Sequence, residues 1–172
     1  MTWTAPTVDR TKPPTTADER VALDTALDYQ RDTLRWKCAG LTADQLKQRS
    51  VSPSGLSLLG LVRHMALVER WWFQVNAAGR TLELPYTTDD NPDGEFDDVD
   101  TADAAADLSV FVAEVAGARA AVAELRLDHT FPSHRGTAMD LRWVYVHMLE
   151  EYARHNGHAD LLREAIDGTT GD

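Results

Sequence analysis

A single cysteine, Cys38, stands in 172 residues, and that scarcity removes several chemistries at once. Neither an internal disulfide nor a Cys-rich zinc or iron–sulfur site can be built, so a reducing, cytoplasmic setting is the expectation. Long apolar runs are also missing. Residues 1–14 carry Thr, Pro and scattered charge without a stretch of signal-peptide length, and no later segment reaches the length of a membrane span, so neither export nor membrane insertion is expected. Positive charge is scarce as well. The net charge is −11, and residues 81–118 hold no Lys or Arg while collecting Glu83, Asp89, Asp90, Asp93, Glu95, Asp97, Asp98, Asp100 and Asp103. Such a surface repels phosphate backbones, which argues against a nucleic-acid partner. The acidic stretch lacks the ligand spacing of an EF-hand and reads as a solvated loop, long enough to shape the mouth of a pocket.

Composition is otherwise ordinary, with 43 % hydrophobic and 26 % charged residues, and the length suits one domain with its own core. The expected organisation is a flexible N-terminal arm over 1–15 and one domain over 16–168. Helical spacing predicts a first helix from about Thr16 to Cys38, with Leu23, Leu27, Leu34 and Cys38 on its stripe and Gln30 interrupting it. Thr42 and Gln45 form a capping-box signature for a short helical turn, and Pro53 breaks the chain after it. A second helix is predicted from Ser57 to Gly79 on Leu58, Leu61, Met65, Val68, Trp72 and Val75. A third starts at a Thr101 cap and carries Ala104, Leu108, Phe111, Val115, Ala118, Val122 and Leu125. After a loop around Phe131–Gly136, a last helix spans about Ala138 to Ile166 and stops at Gly168. Four amphipathic helices without strand-like alternation predict an all-α four-helix bundle, with a long crossover connection between helices two and three.

The last helix places ligand-type residues on the expected inward stripe of Leu141, Val144, Met148, Glu151, His155, His158, Leu162 and Ile166. A step of four residues turns a helix by only about 40°, so Glu151 and His155 point the same way and His147 extends the row. His64, beside Leu61, Met65 and Val68 on the second helix, is the candidate third ligand for a divalent ion. Three protein ligands leave an open position, which suits catalysis. Spacing alone leaves a plainer reading open: an inward His is often a hydrogen-bonded core residue, and a Glu/His pair four apart is often a surface ion pair. His147 and His158 read as partners of the ligands or as acid/base groups. His129 and His134 lie in a Pro-containing loop and are expected to face solvent. Trp71, Trp72 and Trp143, at helical spacing and without a basic groove, read as core or interface.

The segments LVRHMALVERWW (Leu61–Trp72) and HMLEEYARHNGHADLLRE (His147–Glu164) resemble the DinB superfamily, most closely its actinobacterial DUF664 branch of mini-circle proteins. The resemblance spans nearly the whole chain. It implies a four-helix bundle with a metal site, assembled as a homodimer. In the family pattern one His comes from the second helix and an HxxxH pair from the last; His64 and His155 match the first and final positions, and Glu151 replaces the remaining His. A His, Glu, His set also occurs in related mycothiol-dependent isomerases. The mixed donors suit zinc first, with nickel, iron or manganese also compatible.

Superfamily members resemble thiol S-transferases, and the excess of Arg over Lys favours a mycothiol-using organism. The implied activity is therefore a mycothiol-dependent S-transferase acting on a small electrophile, with the metal lowering the thiol pKa and no protein nucleophile needed. Cys38, on an apolar stripe at a helix end, reads as packing. Two alternatives use the same residues: a hydrolase with His158 or His147 as proton shuttle, and a non-enzymatic metal-binding protein.

Overall fold

The computed structural model describes residues 2–171 apart from His134, which lies outside the described residues together with Met1 and Asp172. The chain is mostly helical. Its elements are α1 (Glu19–Cys38), α2 (Ala43–Lys47), α3 (Leu58–Glu69) running into a π-helical segment (Arg70–Ala77), α4 (Gly94–Asp97) with a following 3-10 turn (Asp98–Thr101), α5 (Ala104–Val122) and α6 (Leu141–Asp167). No helix is long and apolar enough to cross a membrane among the described residues.

Local chemistry explains most of these boundaries. The Thr42 hydroxyl accepts from Gln45 N and the Gln45 side chain accepts from Thr42 N, closing the capping box of α2. Ser57 Oγ caps α3 by accepting from Gly60 N. Gly168 ends α6 at a φ of 78°, where its lack of a Cβ removes the steric cost. The α5 cap differs from expectation: it is Asp103, whose Oδ1 accepts from Ala105 N and Ala106 N, while Thr101 closes the 3-10 turn before it. A carboxylate there satisfies two free amides and faces the positive end of the helix dipole.

Two regions depart from the predicted pattern. The 131–136 stretch is not simply a loop, because Thr130–Pro132 (β1) pairs antiparallel with Ala138–Asp140 (β2); three-residue strands are too short to show alternation. The end of the second helical run also changes pitch. Ala78 N donates to Phe73 O, five residues back, and this wider turn rotates the buried stripe from the expected Trp72 and Val75 to Phe73 and Ala77.

Packing follows the apolar stripes. α1 lies along α6, α3 and its π-helical extension lie along α5, and α3 also meets α6 and α1. Leu27, Leu34, Leu61, Met65, Phe111, Met148 and Tyr152 are fully buried at the centre. Residues 2–17 contain no helix, yet they are docked: Ala5 is buried, its N donates to Leu41 O, and its own carbonyl accepts from Gly40 N.

A charged cluster sits inside this core. Arg31 on α1 donates twice to Glu69 on α3, each at 2.7 Å, and Tyr152 on α6 donates to the same carboxylate at 2.7 Å. Glu69 has no exposed surface. Burial outweighed by this pairing keeps the guanidinium charged, and burial beside Glu69 raises the Tyr152 pKa. One carboxylate thus ties three helices at a fixed height. Nearby, Gln30 interrupts the α1 stripe because its carbonyl and side-chain oxygens accept from Asn156 on α6.

Candidate metal centre

The α6 face is built differently from the expected stripe. Its core line is Leu141, Val144, Tyr145, Met148, Tyr152, Asn156, Ala159 and Leu162. Glu151, His155 and His158 flank that line and are half-buried, and so is Ile166. The polar groups therefore sit on the rim of the core, where water reaches them and their desolvation cost is lower.

There they meet His64. One ligand atom each from His64, Glu151 and His155 lies within 4.8 Å of the others. Glu151 Oε2 is 3.4 Å from His155 Nε2, and the His64 and His155 rings meet edge-on at 4.9 Å between centroids. Two imidazoles and one carboxylate this close form a donor set suited to one divalent cation. Burial, then the neighbouring His64, depress the His155 pKa to about 4, so at neutral pH its ring is uncharged and keeps a free lone pair.

Both other histidines of α6 touch these groups. His158 Nδ1 is 3.4 Å from His155 Nδ1, which leaves His155 Nε2 directed at Glu151. His147 Nε2 is 3.6 Å from Glu151 Oε1. The His147 ring is stacked on Trp143, with centroids 4.8 Å apart at 11°, and meets Trp72 edge-on at 4.8 Å. Trp143 remains half exposed, so an aromatic wall borders the site. His129 is not a solvent-facing loop residue: it is half-buried, its Nε2 lies 3.2 Å from Ala77 O, and its ring faces Phe131.

The acidic segment contributes what spacing did not reveal. Most of its carboxylates are exposed, but Glu95 is only 5 % exposed, with Oε1 at 3.2 Å from His64 Nδ1. The next residue, Phe96, stacks on the His64 ring at 5.2 Å. Gly60, one turn before His64, makes room for this contact, since a Cβ there would lie 3.0 Å from the Phe96 ring. Arg63 fastens the segment by donating to the carbonyls of Gly94 and Glu95 and to Asp107 on α5, each at 2.9 Å. The apolar pair Phe96 and Val99 inside an acidic run was the available sequence signal, since a fully solvated loop has no use for it.

A family model for mycothiol S-transferases matches residues 22–168. The chain belongs to the mycothiol S-transferase family. Both segments that carry the DinB-superfamily resemblance, 61–72 and 147–164, fall inside the matched span, as do His64, Glu95, Glu151 and His155. No curated protein sequence matches the chain at a significant level.

Cys38 stands apart from this site. It has no exposed surface, and burial pushes its thiol pKa up to about 12. At pH 8 roughly one thiol in ten thousand would then be ionised. A disulfide reagent at pH 8 is expected to leave the native thiol unmodified over hours and to titrate one thiol per chain in denaturant. Rapid labelling of the native protein would mark Cys38 as a reactive group.

Proposed function

We propose that the protein is a metal-dependent thiol S-transferase that uses mycothiol, built on a four-helix bundle with a long crossover between its second and third long helices. The observation that carries this reading is the convergence of His64 from α3 with Glu151 and His155 from α6 in a chain of the mycothiol S-transferase family. The donor set fits a divalent ion, with zinc the first choice, and these three side chains would hold it. An ion held there supplies positive charge that lowers the pKa of a bound thiol, so that thiolate predominates near neutrality.

The remaining chemistry falls to the protein's own groups. Transfer forms one sulfur–carbon bond, breaks the bond to the electrophile's leaving group, and hands the thiol proton to a base. His158 and His147, each in contact with a candidate ligand side chain, would take that proton. Trp72 and Trp143 offer an apolar wall for the electrophile. The net charge of −11 favours small-molecule substrates over nucleic acid, and exposed Trp143 and Val146 on α6 offer a surface that a homodimer would cover. A thiol-dependent activity also suits a cytoplasmic setting.

The test is conjugation of a bimane electrophile by zinc-loaded protein. Turnover is expected to require a thiol, to be fastest with mycothiol and lower with glutathione, and to vanish in His155→Ala. Turnover of an ester substrate with no thiol present would favour hydrolysis by the same residues and end the transferase reading.

A further inference from the structure

We propose that Glu95 is a positioning residue of the candidate centre: its carboxylate holds the His64 ring with the proton on Nδ1 and leaves Nε2 free for the ion. The segment between the π-helical run and α5 thereby completes a site whose ligands all lie on other elements. This rests on the metal reading above.

A carboxylate oxygen accepts and a ring N–H donates, so the 3.2 Å contact between Glu95 Oε1 and His64 Nδ1 favours the tautomer with the proton on Nδ1. The ring cannot swing away, because Phe96 covers one face and His155 meets it edge-on. Glu95 is not a further ligand, since the group of donors within 4.8 Å of one another comprises His64, Glu151 and His155 among the described residues.

Glu95 Oε2 is buried and has no hydrogen-bond partner among the described residues. Arg63, the residue before His64, directs its guanidinium to the backbone carbonyls of Gly94 and Glu95 and to the Asp107 carboxylate. A buried carboxylate with one weak partner destabilises a fold. Its one partnered oxygen is directed at His64, where a carboxylate behind a ligating imidazole fixes the tautomer and raises the basicity of the nitrogen facing the metal. The chain holds Glu95 there by close packing, since a Cβ on Gly94 would collide with the Tyr86 carbonyl oxygen.

Two measurements test this, on wild type, Glu95→Gln and Glu95→Met, with helicity checked by circular dichroism. In metal-free protein, long-range proton–nitrogen correlation of the imidazoles should show His64 protonated on Nδ1 in wild type and redistributed toward Nε2 in Glu95→Met. Zinc affinity, measured by competition with a chromophoric chelator, should fall about 10–100-fold in Glu95→Met and by a smaller factor in Glu95→Gln, which keeps an acceptor oxygen without the charge. His64 protonated on Nε2 in wild type, or unchanged zinc affinity in both variants, would overturn the proposal. If Glu95→Met fails to fold, unchanged affinity in Glu95→Gln is sufficient to overturn it. Wild type that binds no zinc would end the metal reading by itself, and the tautomer spectrum would then decide the Glu95–His64 pairing alone.

Discussion

Glu69→Ala is expected to lower unfolding stability by about 3–5 kcal/mol, the usual cost of removing one partner from a buried ion pair. The substitution leaves the Arg31 guanidinium, itself buried, without its bidentate partner, and leaves the Tyr152 hydroxyl without an acceptor. Tyr152→Phe removes only one hydrogen bond to a charged group and should cost about 1.5–3 kcal/mol. Urea unfolding followed by circular dichroism separates the two. A loss below about 1 kcal/mol for Glu69→Ala would mean that water enters and solvates Arg31, and that the cluster does not hold the helices in register. Because Glu69 lies five residues after His64 and Tyr152 is next to Glu151, a shift of this anchor would also separate the candidate ligands.

His155→Ala is expected to take zinc content from one ion per chain to none. It removes one of three donors outright, so its effect should exceed the 10–100-fold loss typical of a group that only supports a ligand. Glu151→Gln tests the same point with little change of shape. Metal removal should also register in stability. With free zinc at about a hundred times its Kd, binding stabilises the folded state by about 2.7 kcal/mol, and at roughly 2–4 °C per kcal/mol a chelator should lower Tm by about 5–10 °C. Equal metal content in wild type and His155→Ala would place any ion elsewhere. An unchanged Tm on chelation, with metal bound, would show that the ion does not distinguish folded from unfolded chain.

Much of the architecture was legible because it depends on periodicity and on short-range chemistry. Leu58, Leu61 and Met65, or Leu108, Phe111 and Val115, lie on one face of any helix that contains them, and each set is buried. The Thr42–Gln45 box and the Gly168 stop act within a few residues, so their partners were visible in the string. The pitch change after Glu69 moved burial from Trp72 to Phe73, since one wider turn rotates everything downstream. Periodicity runs the α6 stripe through Glu151 and His155, although Tyr152 and Asn156, one residue further on, carry the burial. Polar-tipped side chains such as Tyr152 and Asn156 enter a core when a partner across the interface meets them, and here the partners, Glu69 and Gln30, are on other helices.

The sequence by itself determined the helical class and the α6 row of His147, Glu151 and His155, because side chains four apart on a helix must share a face, whereas the meeting of that row with His64 depends on how α3 packs against α6. Only the tertiary structure decided which groups from distant segments meet: Glu95 behind His64, Arg63 under Glu95, and Arg31 with Tyr152 on Glu69. A carboxylate in an acidic run carries no local mark of burial. What sets Glu95 apart from Asp97 or Asp98 is the fold's closure around Phe96 and Val99, a long-range packing event that excludes water from one acid and leaves its neighbours in solvent.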